Sequence, residues 1–359
     1  MNILFFSERI IYGGGEKVRN WLAGKLIETG HNVIYASPNP DDKFYNDLET
    51  VGLSGRVIVD KYPFHIKKRY PIKYKTAIRN LYQRNKVDIL IYFGGSLVEQ
   101  VIARSCGIKV LLSERCEPAS RPIAGQILKQ IQYRFADGYV FQTPEAALCY
   151  GKRANELSVV IPNPIIDKLP APIFTNLRKE IVTVGRLSKE KNQFMLIKAF
   201  AKFHNKYPEY KLIIYGSGPL EKDLNEAIIE RHISECAQII KGKHNISELI
   251  NGAELFVLPS NTEGMPNALI EAMSVGIQSI STNCPIYGPK MLVEHGVNGY
   301  LTPIKDADAL YDMMCYAIEN KEQANIIRKN AVQIRERLNE TKIAKRWIEY
   351  IEKLVNNYE

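Results

Sequence analysis

Residues 255–276 read LFVLPSNTEGMPNALIEAMSVG, and this stretch indicates the fold most directly. Its first four residues, Leu255–Leu258, are apolar and predict a buried strand, and the apolar spacing after Pro266 predicts a helix. Proline suits the first turn of a helix, because the amide that it lacks would have no partner there. A strand that leads directly into a helix is the repeating unit of parallel sheets, so this stretch predicts an α/β fold.

The alternation of strand and helix patterns extends over both halves of the chain. Before a proline-rich segment at Pro162–Pro172, apolar runs predict strands at Ile3–Phe6, Val33–Ala36, Val57–Val59, Ile89–Tyr92, Val110–Leu112, Gly138–Gln142 and Val159–Ile161. After it, strands are predicted at Ile181–Val184, Leu212–Tyr215, Ala237–Ile240, Leu255–Leu258 and Gln278–Ser281. The prolines indicate a linker, so the sequence predicts two Rossmann-like domains, each a doubly wound parallel sheet, that face a cleft.

Composition limits the class of protein. The chain has 359 residues, of which 45% are hydrophobic and 24% charged, which is typical of a soluble globular protein of about two domains. No stretch approaches the ~20 uninterrupted apolar residues that span a bilayer. Six scattered cysteines form no Cys-x-x-Cys pair, and the start lacks the basic region of a signal peptide. These features predict a cytoplasmic protein.

The basic residues are unevenly distributed. The net charge is +9, and the segment 61–86 has nine basic residues, five interleaved aromatic residues and no acidic residue. This pattern is typical of a surface that binds an anionic partner, either lipid headgroups or a nucleic-acid backbone. A solvated helix face would have the same pattern, and both interpretations are open. A nucleic-acid role would rest on this segment alone, since no known nucleic-acid-binding module is recognisable.

Three glycines, Gly13–Gly15, follow the first predicted strand and precede a helix predicted over Lys17–Glu28. Glycines in this position let a ligand approach the backbone and direct the helix N-terminus at an anion. The pattern is neither a P-loop nor G-x-G-x-x-G. A tight turn that only starts the helix explains it equally well.

Two basic residues, Arg186 and Lys191, follow the first strand of the second half. Ligands bind at the carboxyl ends of strands in such sheets, so both cations could neutralise one diphosphate. The alternative is that they are ordinary surface cations on a loop.

Two carboxylates, Glu263 and Glu271, follow the strand at Leu255–Leu258. Glu263 precedes the helix and Glu271 lies about one and a half turns into it, so both are expected on the side where ligands bind. Paired carboxylates suggest acid/base catalysis. In the alternative interpretation Glu263 caps the helix, which leaves Glu271 unexplained.

The pattern E-G-x-P-x-x-x-x-E-A-M-x-x-G, filled by Glu263–Gly276, resembles the signature of retaining glycosyltransferase family 4. The same template fits further segments, namely Gly13–Gly15, Ile161–Pro164, Val184–Leu187 with Lys191, Tyr215–Leu220 and Val297–Leu301. The resemblance implies a GT-B fold, with an acceptor-binding domain at residues 1–166 and a donor-binding domain at 167–340. It also implies that the last helical segment, within 341–359, packs back onto the first domain.

The resemblance also implies a role for each matching residue. Arg186 and Lys191 would stabilise the departing diphosphate, Glu271 would bind the ribose, and Glu263 would bind hydroxyls of the transferred sugar. Neither glutamate would then act as an acid or a base. The remaining donor-binding positions would be Gly14, Gly15, Gly216, Gly218, Gly242, Lys243, Gly264, Met265, Pro266, Asn267 and Ala268.

Two positions bear on the acceptor and on metal binding. Many family members have a histidine near the acceptor, and Arg115, preceded by Glu114, occupies the matching position here. We expect these two residues to contact the acceptor. The Asp306-Ala307-Asp308 string is a D-x-D motif, but it follows Pro303 and opens a helix, which predicts a helix N-cap. We therefore expect no metal and no other cofactor.

The resemblance predicts retaining transfer of a hexose or N-acetylhexosamine from a UDP-sugar to a saccharide acceptor. With the basic segment 61–86, it suggests a lipid-linked acceptor in polysaccharide or glycoconjugate assembly, such as capsule or lipopolysaccharide, and peripheral contact with the inner face of an anionic membrane. No nucleic-acid partner is expected. A sugar-nucleotide epimerase or a phosphorylase would share the fold. A non-catalytic subunit would usually have lost Glu263, Arg186 or Lys191, and all three are present.

Overall fold

The computed structural model describes residues 1–11, 14–64, 67, 69–93, 97–113, 123–166, 168–241, 245–285 and 288–356. The chain divides into two compact units. Unit 1 comprises residues 1–166 and 340–359, and unit 2 comprises residues 167–339. Glu340, which the sequence-based boundaries placed in the second domain, starts the last helix of unit 1.

Unit 1 is built on a sheet of seven parallel strands. They are β1 (Asn2–Phe6), β2 (Asn32–Ser37), β3 (Ile58–Lys61), β4 (Ile89–Tyr92), β5 (Lys109–Ser113), β6 (Gly138–Phe141) and β7 (Ser158–Val160). Their order in the sheet is β3-β2-β1-β4-β5-β6-β7. The chain therefore winds outward from β1 to β3 and then returns to build the other side from β4, which confirms the predicted doubly wound sheet.

Helices cover both faces of this sheet. They are α1 (Gly14–Glu28), α2 (Asp42–Thr50), α3 (Pro71–Arg84), α4 (Leu97–Ser105), α5 (Ile123–Tyr133), α6 (Pro144–Leu148) and α7 (Lys152–Glu156). Successive side chains of a strand point to opposite faces. Accordingly, Leu4 and Leu90 belong to a core with residues of α3 to α7, whereas Ile3 and Ile91 belong to a second core with residues of α1 and α2.

Unit 2 repeats this architecture with six parallel strands. They are β8 (Arg178–Val184), β9 (Lys211–Tyr215), β10 (Ala237–Ile240), β11 (Ala253–Leu258), β12 (Gln278–Thr282) and β13 (Tyr300–Thr302), in the order β10-β9-β8-β11-β12-β13. The sequence predicted all of these strands except β13. At three residues, β13 is too short to show a period, and its neighbours Gly299 and Pro303 favour a turn.

The helices of unit 2 connect these strands and extend beyond the sheet. They are α8 (Gln193–Lys206), α9 (Glu221–Glu230), α10 (Ile246–Ile250), α11 (Asn267–Ser274), α12 (Gly288–Leu292), α13 (Ala307–Glu319), α14 (Lys321–Val332) and α15 (Ile334–Arg337). Asp306 is the N-cap of α13, and its Oδ1 accepts a hydrogen bond of 2.9 Å from the Ala309 amide. This agrees with the N-cap predicted for the D-x-D string.

The final helix, α16 (Glu340–Asn356), belongs to unit 1 although unit 2 precedes it in the chain. Ile343, Trp347 and Ile351 are buried in the same core as α1 and α2. The Arg346 guanidinium donates to the carbonyl oxygen of Val160 at the edge of the sheet. The second face of the sheet is therefore complete only when this helix is in place. None of the helices among the described residues is long and apolar enough to cross a membrane.

Candidate active site

The winding of unit 2 reverses between β8 and β11, which are neighbours in the sheet. From β8 the chain proceeds to β9 on one side, and from β11 it proceeds to β12 on the other. The loops that follow the two strands therefore separate at their carboxyl ends, where ligands bind in open α/β sheets. Residues 185–192 follow β8, and residues 259–266 follow β11. We call them the Lys191 loop and the Glu263 loop.

An ion pair joins the two loops. Lys191 Nζ lies 2.5 Å from Glu263 Oε1, and the Ser260 hydroxyl donates to the same oxygen at 2.6 Å. The Glu263 side chain is only 8% exposed, whereas the Lys191 side chain is 24% exposed. A buried carboxylate is costly unless it is paired and hydrogen-bonded, so these two donors account for its burial. They also fix the carboxylate in one orientation.

The interpretation of Glu263 as a helix cap does not agree with this arrangement. Pro266 is the N-cap of α11 and has no side chain that could accept a hydrogen bond. The described hydrogen bonds of the Glu263 carboxylate go to Lys191 and Ser260. Because the sequence assigned Lys191 and Glu263 to different parts of a ligand, it did not predict their direct contact.

Asparagine side chains fasten the same two loops together. The Asn261 amide donates to the carbonyl oxygen of Glu190 at 2.8 Å, and its side-chain Nδ2 donates to that of Lys189 at 3.1 Å. Asn192 Nδ2 in turn donates to Asn261 Oδ1 at 3.1 Å. Asn192 has a left-handed backbone with φ of 49°, which asparagine tolerates better than most residues. Neither asparagine is among the site residues predicted from the sequence, although polar residues at strand ends are a signal for such a role.

Ser260 is held from the neighbouring strand. The Thr282 hydroxyl at the end of β12 donates to the carbonyl oxygen of Ser260, and the Cys284 thiol lies 3.2 Å from that oxygen. Ser260, Thr282 and Cys284 are completely buried. The orientation of the Glu263 carboxylate is therefore set by a chain of buried contacts that begins in the sheet.

Arg186 lies at the same strand end and is exposed. Its carbonyl oxygen accepts a hydrogen bond of 2.9 Å from Gln193 at the start of α8. Burial opposes ionisation of nearby Glu190, but hydrogen bonds and the charges of Arg186 and Lys191 hold the pKa of that carboxyl below its ordinary value. The Lys191 loop contains three cations, Arg186, Lys189 and Lys191, and one carboxylate, Glu190, so its net charge is positive.

Gly216 and Gly218 pack against the backbone of the Lys191 loop. A Cβ atom at Gly216 would lie 1.9 Å from the carbonyl oxygen of Gly185, and one at Gly218 would lie 2.4 Å from that of Leu187. The Leu187 amide donates to the carbonyl oxygen of Ser217 at 3.0 Å. Both glycines are thus required for residues 216–218 to approach the Lys191 loop. The sequence also predicts that these glycines line a nucleoside pocket, which remains a prediction.

The Glu263 loop leads into α11 through three partly or fully buried residues. Gly264 is approached closely by Gly288, where a Cβ atom would lie 1.4 Å from the Gly264 carbonyl oxygen. Met265 and Pro266 are buried, and the helical hydrogen bonds begin at the Pro266 carbonyl oxygen. The path of the chain into the helix is therefore fixed by packing.

Asn267, Ala268 and Glu271 belong to α11 and are half-buried. Asn267 and Ala268 form the first turn of the helix, and Glu271 follows one turn later. The N-terminal turn thus lies next to the Glu263 loop in sequence. The contacts of Asn267, Ala268 and Glu271 with a phosphate, a sugar and a ribose remain predictions.

In unit 1 the winding reverses between β1 and β4, and Gly14 and Gly15 form the first turn of α1 behind β1. A Cβ atom at Gly15 would meet no described atom within 4 Å. Packing among the described residues therefore gives no reason for a glycine here. Buried Asn20 holds the preceding segment, because its Nδ2 donates to the carbonyl oxygen of Ile10 at 3.0 Å. Asn20 is not among the site residues predicted from the sequence.

Several predicted site residues lie outside the described residues, namely Gly13, Glu114, Arg115, Gly242 and Lys243. Among the residues that are described, no group of three or more His, Cys, Asp or Glu side chains is arranged to hold a metal ion. The described part of the site consists of cations, carboxylates, hydroxyls and close backbone approaches.

The comparison with known proteins agrees with this chemistry. Residues 170–334 match the family model described as glycosyl transferases, group 1. An uncharacterized glycosyltransferase of Haemophilus influenzae is 26% identical over 317 residues, which cover 86% of this chain and 88% of that protein. These matches support a group 1 glycosyltransferase.

A second relative and a solved structure match nearly the whole length of the chain. The relative is a Campylobacter jejuni protein named GalNAc-alpha-(1->4)-GalNAc-alpha-(1->3)-diNAcBac-PP-undecaprenol alpha-1,4-N-acetyl-D-galactosaminyltransferase, which is 24% identical over 365 residues and 99% of both chains. The structure is Anabaena HepE in complex with UDP-glucose, with a TM-score of 0.82, 18% identity and coverage of 98% of this chain and 100% of that one. The structural likeness confirms the predicted GT-B fold.

Proposed function

We propose that the protein is a retaining glycosyltransferase that moves a hexose or N-acetylhexosamine from a UDP-sugar to a lipid-linked saccharide. The observation that carries the proposal is the contact of Lys191 with Glu263 at the point where the winding of unit 2 reverses. A nucleotide sugar has a diphosphate that needs a cation and a sugar whose hydroxyls suit a carboxylate. Because Lys191 and Glu263 are in direct contact, the diphosphate and the sugar of one ligand could bind to both side chains.

In this proposal the cations act on the leaving group. The bond between the anomeric carbon and the diphosphate oxygen breaks, and its electron pair leaves with UDP. Lys191 and Arg186 stabilise the negative charge that develops there. The acceptor hydroxyl attacks from the face that the diphosphate leaves, its oxygen forms the new glycosidic bond, and its proton passes to the departing phosphate oxygen. The reaction therefore needs no protein nucleophile.

The carboxylates position the donor. Glu263 accepts hydrogen bonds from hydroxyls of the transferred sugar, and its rigid attachment to Ser260 favours one orientation of the sugar. Glu271 binds the ribose, and the amides after Gly264 contact the sugar and phosphate. At Gly15 the absence of a side chain leaves room for the diphosphate to approach α1. Glu114 and Arg115 contact the acceptor.

The identities of donor and acceptor are supported by the two nearly full-length matches. HepE was solved in complex with UDP-glucose, which supports a UDP-sugar as donor. The name of the Campylobacter jejuni relative describes transfer to a saccharide on undecaprenyl diphosphate, which supports a lipid-linked acceptor in polysaccharide or glycoconjugate assembly. Such an acceptor would be used in the cytoplasm, at the inner face of the membrane.

The reaction is proposed to be independent of metal, because two protein cations supply the charge that a divalent ion would otherwise supply. Treatment with EDTA should therefore change the transfer rate by less than about twofold. Loss of transfer on chelation, with recovery after Mg²⁺ or Mn²⁺ is added, would overturn this part of the proposal.

The central test compares donors and one matched pair of variants. The protein is assayed for binding and slow hydrolysis of UDP-, GDP- and ADP-sugars, and we expect UDP-sugars to be preferred. Lys191→Ala should weaken UDP-sugar binding by at least tenfold, because it removes a diphosphate contact. Lys189→Ala, which removes an exposed cation from the same loop, should change it by less than twofold.

Three outcomes would contradict parts of the proposal. Equal donor binding by Lys191→Ala and the wild type would exclude the phosphate role. An inverted anomeric centre in the product, detected by NMR, would exclude a retaining mechanism. Conversion of a UDP-sugar to its epimer without an acceptor would indicate an epimerase instead.

A further inference from the structure

The two faces of the unit 1 sheet are covered by different helices. Because α3, α4, α5, α6 and α7 contribute to one core cluster, we call them the α3–α7 layer. The opposite layer consists of α1, α2 and α16, which contribute to the other cluster. Both layers pack on the same strands, so they provide a matched comparison of two outer surfaces within one unit.

The two layers differ in charge. The helices of the α3–α7 layer contain eight basic and three acidic residues, whereas those of the opposite layer contain eight of each. One of the three acidic residues, Glu99, is 3% exposed and lies 2.8 Å from Lys67 Nζ, so it contributes nothing to the surface. The net positive charge of the unit 1 helices therefore lies in the α3–α7 layer.

Two exposed cations of this layer lie at the start of α3. Arg84 at the end of the helix is engaged by Asp60 at 2.6 Å. Lys73 and Lys75 in the first turns are exposed, and neither forms an ion pair with a described residue. The cations of the basic segment 61–86 are thus not equivalent for binding, because Lys67 and Arg84 form ion pairs within the protein.

The α3–α7 layer also exposes large apolar side chains. Ile72 is 80% exposed next to Lys73, and Leu148 at the end of α6 is 67% exposed. The exposed large hydrophobic residues described in these helices are Ile72, Val98, Val101, Ile127, Ile131 and Leu148. In the described residues of the opposite layer, Tyr45 is the one such residue. Apolar side chains among unpaired cations are typical of surfaces that enter a lipid headgroup region.

We infer that the α3–α7 layer docks on an anionic lipid bilayer. Lys73 and Lys75 attract the phosphate groups of the lipids, and Ile72 and Leu148 enter the boundary between headgroups and acyl chains. The inference rests on the proposed function, because a lipid-linked acceptor requires the enzyme to work at such a surface. A nucleic-acid backbone would satisfy the cations, but it would leave the exposed aliphatic side chains in water.

Co-sedimentation of the full chain with vesicles tests the charge component. The vesicles contain phosphatidylcholine with or without phosphatidylglycerol, and binding is expected to need the anionic lipid. The double variant K73E/K75E should bind at least tenfold more weakly than the wild type, and K345E/K353E, which reverses two exposed cations on α16, should bind within about twofold of it. Equal loss in the two variants would overturn the assignment to the α3–α7 layer.

The apolar component has its own pair of variants. Ile72→Glu with Leu148→Glu should lose binding that persists at high salt, because salt screens charges and does not weaken apolar insertion. Tyr45→Glu on the opposite layer should retain that binding. No difference between these variants would overturn the insertion of the two aliphatic residues.

Binding of the wild type to UDP-sugars and to vesicles shows separately whether this inference and the proposed function hold. A chain that binds UDP but neither type of vesicle at physiological salt retains the donor chemistry and loses the docking surface. A chain that binds anionic vesicles but no nucleotide sugar retains the docking surface and loses the transferase. Binding to single-stranded RNA in place of vesicles would overturn the lipid as partner.

Discussion

Glu263 is a carboxylate whose burial depends on two neighbours. Lys191 and Ser260 donate to one of its oxygens, and removal of either leaves part of its charge uncompensated in a low-dielectric site. Lys191 is partly exposed, so water can replace it to some extent. Ser260 is completely buried, which makes its hydroxyl the less replaceable donor for orienting the carboxylate.

Ser260→Ala should therefore impair the reaction without removing a ligand contact. We expect kcat/KM for transfer to fall about tenfold, equivalent to ~1.4 kcal/mol, because the carboxylate that is proposed to bind the sugar loses its orientation. Steady-state kinetics with saturating acceptor measure the change. Ser274→Ala, which removes an equally buried hydroxyl that donates to the Ile270 carbonyl oxygen, should change kcat/KM by less than twofold. Similar losses in both variants would contradict a positioning role for Ser260.

Gly15 gives a second test at the residue scale. A Cβ atom there meets no described atom, so Gly15→Ala should fold and should slightly stabilise α1, by about 0.5–1 kcal/mol. UDP-sugar affinity should nevertheless fall at least tenfold, because the methyl group occupies the space proposed for the diphosphate.

Gly24→Ala is the control for this prediction. Gly24 lies in the same helix, and its Cβ would only touch Leu53 at 4.0 Å. Thermal denaturation should show a similar change in Tm for both variants, and calorimetric titration should show weaker UDP-sugar binding for Gly15→Ala alone. Unchanged affinity in Gly15→Ala would remove the first-turn glycines from the donor site.

At the scale of elements, the candidate site depends on two loops that are held together by side chains. Asn261 makes three hydrogen bonds to the Lys191 loop, two of them through its side chain. Asn261→Ala should therefore destabilise unit 2 by about 1–2 kcal/mol and raise the KM for the donor more than it lowers kcat.

The control for this variant is Asn225→Ala in α9. Its exposed side chain donates to the Glu221 carbonyl oxygen of its own helix, so it fastens no loop. Chemical denaturation and donor kinetics of the two variants provide the comparison. A kcat effect with an unchanged KM in Asn261→Ala would contradict a role in holding the donor-binding loops.

Local sequence patterns predicted most of the elements, but they did not predict the contacts between loops. The strand at Leu255–Leu258 and the helix after Pro266 show apolar periods that a single segment reveals. The contact between Lys191 and Glu263 joins residues 72 positions apart. It depends on the adjacency of β8 and β11, which no local pattern encodes.

The structural role of a glycine likewise cannot be predicted from the local sequence pattern. The sequence marks Gly15 and Gly216 as similar positions, each a glycine behind a strand. In the structure, a Cβ atom at Gly216 would overlap the backbone of the Lys191 loop, whereas one at Gly15 would meet no described atom within 4 Å. Only tertiary packing distinguishes a glycine that the fold requires from one that the described residues around it do not require.

At the scale of the whole molecule, the two units have separate cores, and α16 completes only the first. Trp347 is fully buried in unit 1 and stacks on Phe93 with ring centroids 5.9 Å apart. Trp347→Ala should cost about 3–5 kcal/mol and destabilise unit 1 selectively. Hydrogen exchange should become faster in β1 and β4, and it should stay nearly unchanged in β8 and β11.

The reciprocal variant is Phe203→Ala, whose side chain is fully buried in the core of unit 2. It should accelerate exchange in β8 and β11 and leave β1 and β4 protected. Uniform acceleration over both units in either variant would show that they unfold as one cooperative body, contrary to this prediction.

The return of α16 to unit 1 also has a consequence during synthesis on the ribosome. Domains usually fold in the order in which they emerge, but here residues 1–166 must wait for a helix that is translated after the whole of unit 2. At the usual 5–20 residues per second, the intervening residues take roughly 9–35 s to synthesise. Unit 2 is continuous in sequence and can finish first. During that interval the nascent first unit exposes the apolar surface that Trp347 later covers, so we expect chaperones to bind it.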